Sequence, residues 1–120
     1  MSLKEFVQKF YKSDALINVE ILKDFLHPDF ILEWDSSKGT LQLNYQDMLD
    51  YVGGLSNAYV RSKVRISHIL EDGDTVAVRY SHYVKTIENP EEDIFLAIFM
   101  IVWQIKDNKL FRGYQMSQIS

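Results

Sequence analysis

Two histidines and a tyrosine are the side chains best suited to acid–base chemistry on a buried surface of this protein. His68, Tyr80 and His82 lie in two stretches that alternate with period two and flank the sequence Asp-Gly-Asp at 72–74. Alternation of this kind is typical of strands with one buried face. A three-residue turn at 72–74 would pair His68 with Val78 and place all three side chains on that face. The two histidines would then lie roughly 13 Å apart, too far to share one metal ion.

Carboxylates near a second apolar segment offer another route to proton transfer. Asp35 follows the segment 30–34 and Glu33 lies within it, so either could act with His82 as an acid–base pair. The favoured alternative is that both acids are solvated. A single histidine on an apolar strand face is likewise more often a hydrogen-bonded core residue than a catalytic one. The weak catalytic candidates are therefore His82, Asp35 and Tyr80.

Composition excludes several classes of site and partner. The chain has 120 residues, which predicts a single domain over 1–120, and it has no cysteine and a net charge of −4. The charge argues against a nucleic-acid partner, since a basic surface would be expected. No phosphate loop, metal-ligand spacing or serine elbow is present, so we expect no cofactor and no metal. The ten-residue apolar run at 94–103 is too short for a membrane span, and residues 1–12 do not resemble a signal peptide. Together these two observations predict a cytoplasmic protein without a membrane partner.

The elements that must position these residues begin with helices. Helical spacing of apolar residues predicts a helix over 2–12 and a second over 15–26, capped by Asp14. A short strand follows at 30–34, and a third helix begins at Tyr45 with Asn44 as its N-cap. Four long strands complete the chain, the last over 109–117. Helices followed by strands predict an α+β fold with helices packed on one face of an antiparallel sheet of four long strands and a short one.

The segment 93–106 is predicted to be the central strand, and both of its faces are apolar. One face consists of Phe95, Ala97, Phe99, Ile101 and Trp103. The other consists of Ile94, Leu96, Ile98, Met100 and Val102. Because a strand with one wet face would alternate apolar with polar residues, something must cover each face of this one.

Three local patterns resemble the nuclear transport factor 2-like superfamily, also called SnoaL-like or cystatin-like. They are the helix end and strand at 25–30 (FLHPDF), the hairpin at 71–77 (EDGDTVA) and the hairpin at 103–110 (WQIKDNKL). The resemblance covers essentially the whole chain. It implies a strongly curved sheet around a cone-shaped pocket, often with dimerisation through the other sheet face. It does not imply one function, because its members include isomerases, dehydratases, polyketide cyclases, epoxide hydrolases and non-catalytic assembly modules.

The catalytic positions of the ketosteroid-isomerase-like branch are not matched in this sequence. That branch has a carboxylate base at the end of the first strand, where this chain has Trp34, and a protonated aspartate on the central strand, where it has Ile101. The helix tyrosine of the branch falls near Phe6 or Phe10, with Tyr11 adjacent and predicted to face away. An oxyanion hole needs a donor at such a position, so we expect that chemistry to be absent.

Strand parity predicts which side chains line the pocket. The turn at 107–108 would pair Trp103 with Arg112, Ile101 with Tyr114 and Phe99 with Met116. The resulting concave surface is mostly apolar and suits a small hydrophobic molecule held by a few polar groups. The predicted ligand-binding residues are Trp34, His68, Tyr80, His82, Phe99, Ile101, Trp103, Tyr114 and Met116.

Two functions remain open at this point. The first is a small apolar ligand bound by a cofactor-free isomerase, cyclase, dehydratase or hydrolase, or by a carrier. The alternative is a non-catalytic interaction or assembly module. Under both functions, the uncovered face of the central strand that carries Ile94 to Val102 predicts a homodimer through the outer sheet face.

Overall fold

The protein is a six-stranded, curved, open sheet with three helices, as seen in a computed structural model that describes residues 1–119. The sheet order is β2-β1-β6-β5-β4-β3, with β1 parallel to β6 and the other neighbours antiparallel. The helices are α1 (Leu3–Lys12), α2 (Val19–Leu22) and α3 (Tyr45–Leu55). The strands are β1 (Leu26–Ser36), β2 (Gly39–Asn44), β3 (Tyr59–Asp72), β4 (Thr75–Thr86), β5 (Ile94–Lys106) and β6 (Lys109–Ile119).

The predicted α+β architecture is confirmed, and two of the three helices form as expected. Helix α1 has Ser2 as its N-cap, and α3 has a capping box in which Asn44 and Asp47 bond each other's backbone N–H groups. No helix within residues 1–119 has the length and apolar character needed to cross a membrane.

The predicted second helix is wrong in extent and in its cap. Only Val19–Leu22 is helical, and its N-cap is Asn18, whose side chain accepts from the N–H groups of Glu20 and Ile21. Asp14 instead accepts the N–H of Ser62 at 2.9 Å. The helix ends early because the chain has already joined the sheet at Leu26, which pairs with Leu110.

The first strand is longer than predicted, and a sixth strand was missed. Strand β1 has eleven residues, and β2 pairs with it through a turn in which Ser36 is opposite Gly39. Gly39 has a φ of 114°, a conformation that favours glycine. The period-two residues Leu41 and Leu43 could have indicated β2, but its mostly exposed face weakens the apolar signal.

The hairpin of β3 and β4 has a tighter turn than predicted, and a bulge compensates for it. Asp72 pairs with Thr75, so the turn has two residues, and His68 is opposite Arg79 instead of Val78. A bulge between Ile66 and His68 restores the expected pairing of Ile66 with Tyr80. As a consequence, His68 and Leu70 point away from the core.

The hairpin of β5 and β6 also contains a bulge. Its turn at Asp107 and Asn108 has positive φ at both residues, as a type I′ hairpin requires, and Ile105 pairs with Leu110 as predicted. Between Gln104 and Ile105 the register shifts by one residue. Trp103 is therefore opposite Gly113, Ile101 is opposite Gln115 and Phe99 is opposite Ser117. The predicted pairings with Arg112, Tyr114 and Met116 are wrong.

The core lies between the concave face of the sheet and the helices α1 and α3. Its largest fully buried side chains include Phe10, Phe30, Leu32, Ile101 and Leu110. Trp103 lies at its centre, with its ring close to Phe10 at 6.0 Å and to Phe30 at 6.1 Å between centroids.

Gly113 is the residue that lets Trp103 pack flat against β6. A Cβ atom at this position would lie 2.7 Å from the Trp103 ring and 2.8 Å from Leu32 Cδ1. We expect Gly113→Ala to lower the free energy of unfolding by about 1–3 kcal/mol, because the core would be overpacked. Urea unfolding followed by circular dichroism measures this change.

Gly54→Ala is the matched control. A Cβ atom at Gly54 would have no neighbouring atom within 4 Å, and the residue is helical. This variant should be neutral or gain up to about 1 kcal/mol from helix propensity. Equal effects of the two substitutions would contradict the close packing at Gly113.

Candidate functional site

A small cavity lies between the concave face of the sheet, α1 and α3. Its volume is about 40 Å³, which leaves room for a few water molecules. Its lining is Tyr11, Leu16, Leu32, Trp34, Met48, Tyr51, Val52, Leu55, Tyr80, His82, Phe99, Trp103 and Gln115. The lining contains no carboxylate and no permanent cation, so the polar groups that face the cavity are hydroxyl, amide, indole and imidazole groups.

The inner wall of the cavity is a cluster of aromatic rings around Tyr11. The Trp103 indole Nε1 donates to the Tyr11 hydroxyl oxygen at 2.9 Å, and both residues are buried. The Tyr11 and Tyr80 rings lie 4.5 Å apart, and Tyr80 stacks on Phe99 at 5.0 Å. Since the Tyr11 oxygen accepts the indole proton, its own O–H can donate to a group in the cavity.

The tyrosines of the cavity are neutral proton donors. Burial raises the pKa of Tyr11 well above its ordinary value of 10, and hydrogen bonds with Trp103 and Tyr80 offset only part of this rise. Burial also raises the pKa of Tyr80, and the neighbouring Tyr11 raises it further. Burial raises the pKa of Tyr51 as well. All three phenols therefore keep their protons at neutral pH.

His82 is the one imidazole on the cavity wall. Its Nε2 lies 2.8 Å from the Ser62 hydroxyl oxygen, and both side chains are buried. The two residues are diagonal neighbours on one face of β3 and β4, since Val64 is the direct partner of His82. Burial lowers the pKa of the imidazole from 6.5 to about 4. His82 is therefore neutral at pH 7 and a weaker base than an exposed imidazole.

The outer rim of the cavity is formed by partly exposed aromatic residues. Trp34 packs edge-on against Tyr51, with 5.4 Å between the ring centroids, and Tyr51 is 39% exposed. The Trp34 Nε1 donates to Ser117 Oγ at 2.8 Å. Because Trp34 and Tyr51 meet at the rim, their movement would enlarge the small cavity toward solvent.

Five of the predicted ligand-binding residues line the cavity, namely Trp34, Tyr80, His82, Phe99 and Trp103. Ile101 lies on the same face but is packed inside the core, 2% exposed.

Three other predicted residues are placed on the wrong side of the sheet. His68 is exposed, and its Nδ1 lies near the Ser67 hydroxyl. Tyr114 is 48% exposed and Met116 is 65% exposed, both on the convex face. The bulges described above are the reason, because a slip of one residue moves a side chain to the opposite face.

The predicted acids are not at the cavity. Asp35 is exposed on the outer face, where its Oδ1 accepts from Thr40 Oγ1 at 2.8 Å. Glu33 is also exposed. Within residues 1–119, no group of three or more histidine and acidic side chains is arranged to hold a metal ion.

Tyr11, Ser62 and Gln115 belong to the site and were missed. The expectation that Tyr11 faces away from the pocket is wrong. It lies four residues after Val7 and next to Phe10, on the buried stripe of α1, and this spacing could have identified it. Gln115 faces inward because of the register shift in the last hairpin, for which the sequence carries no clear signal. Ser62 lies on the same face as Val64 and Ile66, so extending the predicted alternation by two residues would have identified it.

The fold of this chain is that of the SnoaL-like and nuclear transport factor 2-like proteins. AusH from Aspergillus nidulans matches with a TM-score of 0.79 and 14% identity, over 96% of this chain and 82% of that one. IdmH from Streptomyces antibioticus, a candidate polyketide cyclase, matches with a TM-score of 0.73 and 12% identity, over 98% and 92%. A candidate SnoaL-like polyketide cyclase from Shewanella denitrificans matches with a TM-score of 0.73 and 9% identity, over 96% and 89%. No family model and no curated protein matches the sequence itself.

The neutral state of buried His82 predicts a pH dependence of stability. The folded pKa of about 4 lies below the ordinary value of 6.5, so the unfolded chain binds the proton more readily. The contribution of neutral His82 to the free energy of unfolding is therefore complete above pH 6.5 and is lost as the pH falls toward 4. Acidification from pH 7 to 4.5 should lower the free energy of unfolding of the parent protein by about 2–3 kcal/mol more than that of His82→Gln. Urea unfolding at both pH values measures this difference.

His68→Gln provides the control for this measurement. His68 lies on the neighbouring strand but is exposed. The variant should therefore lose as much stability on acidification as the parent protein does. If His82→Gln and the parent protein lose stability equally, then His82 is not held neutral by burial.

Proposed function

We propose that this chain, with its nuclear transport factor 2-like and SnoaL-like fold, binds a small apolar molecule that carries a carbonyl or similar oxygen acceptor. The observation that carries the proposal is the Tyr11 hydroxyl, whose oxygen accepts the Trp103 indole proton at 2.9 Å inside an apolar cavity. The O–H of Tyr11 is then available to a ligand oxygen. A few polar groups in a mostly apolar pocket are typical of small-molecule sites.

The same groups would support cofactor-free proton transfer. A neutral phenol aimed at a carbonyl oxygen stabilises the negative charge that develops when a neighbouring C–H bond is broken. His82 is the one imidazole of the lining, and its unprotonated nitrogen can accept a proton as a weak base, since burial lowers its pKa to about 4. Tyr11 and Tyr80 would act as donors and His82 as the base, a division that fits isomerisation, cyclisation or dehydration. The polyketide cyclase candidates among the similar structures agree with a carbonyl-bearing ligand.

The small volume of the cavity sets a condition on binding. A ligand larger than a few waters must displace the rim, which means that the partly exposed rings of Trp34 and Tyr51 would have to move toward solvent. Both tryptophans of the chain, Trp34 and Trp103, line the cavity. Their fluorescence therefore reports directly on its occupancy.

A matched pair of ligands tests the role of Tyr11. We expect 2-acetylnaphthalene to bind roughly tenfold more tightly than 2-ethylnaphthalene, which lacks the oxygen, because one buried hydrogen bond is worth about that factor. Tyr11→Phe should remove this preference, and its affinity for 2-ethylnaphthalene corrects for any change in the cavity wall that follows from the loss of the Trp103 hydrogen bond. Tryptophan fluorescence titration measures all four affinities.

Tyr45→Phe is the control variant, since Tyr45 lies at the start of α3 and does not line the cavity. It should keep the full preference for the ketone. Equal affinities of the parent protein for the two naphthalenes would contradict the proposed donor. If neither compound quenches the fluorescence, the binding function itself is contradicted.

A second candidate function is a dimeric interaction module, and one observation on the convex face favours it. Four exposed apolar side chains cluster at the centre of the sheet on β5 and β6, namely Met100, Val102, Tyr114 and Met116. Met100 is directly opposite Met116, and Val102 is directly opposite Tyr114. An exposed apolar patch of this kind usually marks an interface.

Charges at the two sides of the patch point to a second copy of the chain as its partner. Asp35 is in register with Met116 on one side, and Arg79 is in register with Met100 on the other. The four residues form one row across β1, β6, β5 and β4. A twofold axis between the two methionines would bring Asp35 of each copy against Arg79 of the other, which makes the patch self-complementary.

Charge reversal tests this arrangement. The parent protein should be a dimer at micromolar concentration, and Asp35→Arg or Arg79→Asp alone should weaken the dimer because like charges would face each other. The double reversal should restore it. Light scattering across a concentration series measures the equilibrium.

Leu41→Arg is the control for the charge reversals, because Leu41 is also exposed but lies on the edge strand β2. It should leave the dimer intact. A parent protein that stays monomeric at tens of micromolar would contradict the dimer. If the double variant dimerises more weakly than either single variant, the twofold arrangement is contradicted.

A further inference from the structure

A second concave site lies outside the cavity, where the end of α1 meets the edge strand β3. It is a cleft of about 600 Å³. Four cationic side chains line it, namely Lys12, Arg61, Lys63 and Lys85. Tyr11 and Ser62 also line it, so the cleft and the cavity share Tyr11 as part of their walls.

Two of these cations already hold a carboxylate of the chain itself. Lys63 Nζ lies 3.0 Å from Asp93 Oδ2, and Lys85 Nζ lies 2.9 Å from Asp93 Oδ1. The two ammonium groups therefore converge on both oxygens of a single carboxylate. They also hold the pKa of Asp93 below its ordinary value, with the Lys85 hydrogen bond as the largest cause.

Asp93 belongs to a connecting segment and not to the sheet. It precedes β5, at the end of the loop 87–93 that follows β4. Its carboxylate is therefore held at the lysines by the two ion pairs and by its neighbour Ile94 in the strand. A loop side chain of this kind can leave without breaking the pairing of the sheet.

The cleft has a surplus of positive charge although the chain is acidic overall. Its four cations face two carboxylates, because Asp14 pairs with Arg61 at 3.3 Å and Asp93 pairs with both lysines. In the part of the chain that the structure describes, Lys12 has no carboxylate within 4 Å. The net charge of the whole chain is −4, so this local surplus is opposite in sign to the rest of the surface.

We propose that this cleft binds a small oxyanion, a carboxylate or a phosphate, and that Asp93 is the internal counter-ion which the oxyanion displaces from Lys63 and Lys85. Replacing one carboxylate by another at the same two ammonium groups leaves the hydrogen bonds unchanged in number. Lys12 adds long-range attraction that Asp93 alone does not satisfy. The site goes beyond the proposed function and does not depend on it.

The experiment is a titration of the whole chain with inorganic phosphate and, separately, with acetate, followed by amide chemical shifts. Chloride at the same ionic strength controls for screening. Saturable shifts are expected at Ser62, Lys63, Lys85 and Asp93 with at least one of the two oxyanions, and not with chloride. The comparison of phosphate with acetate shows which of the two the site prefers.

Opposite effects of two kinds of variant make the test specific. Lys63→Gln and Lys85→Gln should each weaken oxyanion binding roughly tenfold, because each removes one charge-assisted hydrogen bond. Asp93→Asn should strengthen it roughly tenfold, because the internal competitor no longer occupies the site for most of the time. A general charge effect would change affinity by similar amounts wherever the charge is removed.

Two exposed residues supply the controls for this comparison. Glu91→Gln removes a negative charge from the same loop, and Lys38→Gln removes a positive charge from the turn between β1 and β2. Both should leave the affinity within about twofold of the parent protein. The proposal is overturned if chloride produces the same shifts, if neither oxyanion saturates, or if Asp93→Asn binds no more tightly than Glu91→Gln.

Discussion

The hydrogen bond between the Trp103 indole and the Tyr11 hydroxyl is the interaction on which the rest of the structure depends. It joins α1 to the centre of the sheet at 2.9 Å, inside the core. The indole can reach Tyr11 only because Gly113 leaves space beneath it, at a distance that no side chain would permit. Both partners are polar and buried, and each would be costly to leave unpaired. The bond therefore fixes the position of the helix and, with it, the inner wall of the cavity.

Much of this arrangement follows from residue patterns that can be recognised in the sequence. Period-two alternation identifies the strands, and the helical spacing of Val7, Phe10 and Tyr11 identifies the buried side of α1. The turn at Asp107 and Asn108 was also predictable, since two-residue hairpins favour residues that tolerate positive φ. These local signals are sufficient for the order of the elements and for most of the core.

The errors in which face a strand residue occupies share one physical origin, which is the backbone irregularity of the strands. The bulge after Ile66 and the bulge before Ile105 each shift the register by one residue. Nothing in the local composition marks either position, because a bulge is stabilised by the twist and packing of the sheet as a whole. This is why Tyr80 and His82 were assigned to the correct face of the sheet, whereas His68, Tyr114 and Met116 were assigned to the wrong one. The prediction of the second helix was wrong for a different reason, since sheet pairing at Leu26 outweighed helix propensity.

The bulge in the last hairpin also links the two proposed roles of the protein. By shifting β6 one residue relative to β5, it turns Gly113 and Gln115 toward the cavity and turns Tyr114 and Met116 toward solvent. The space for Trp103 and the apolar patch on the convex face therefore have the same cause. Without the bulge, Arg112 would replace Gly113 beneath the indole, and the Tyr11 donor would lose its place. The proposed ligand site on one face and the proposed interface on the other thus depend on a single backbone feature, so a change that removes it should affect both together.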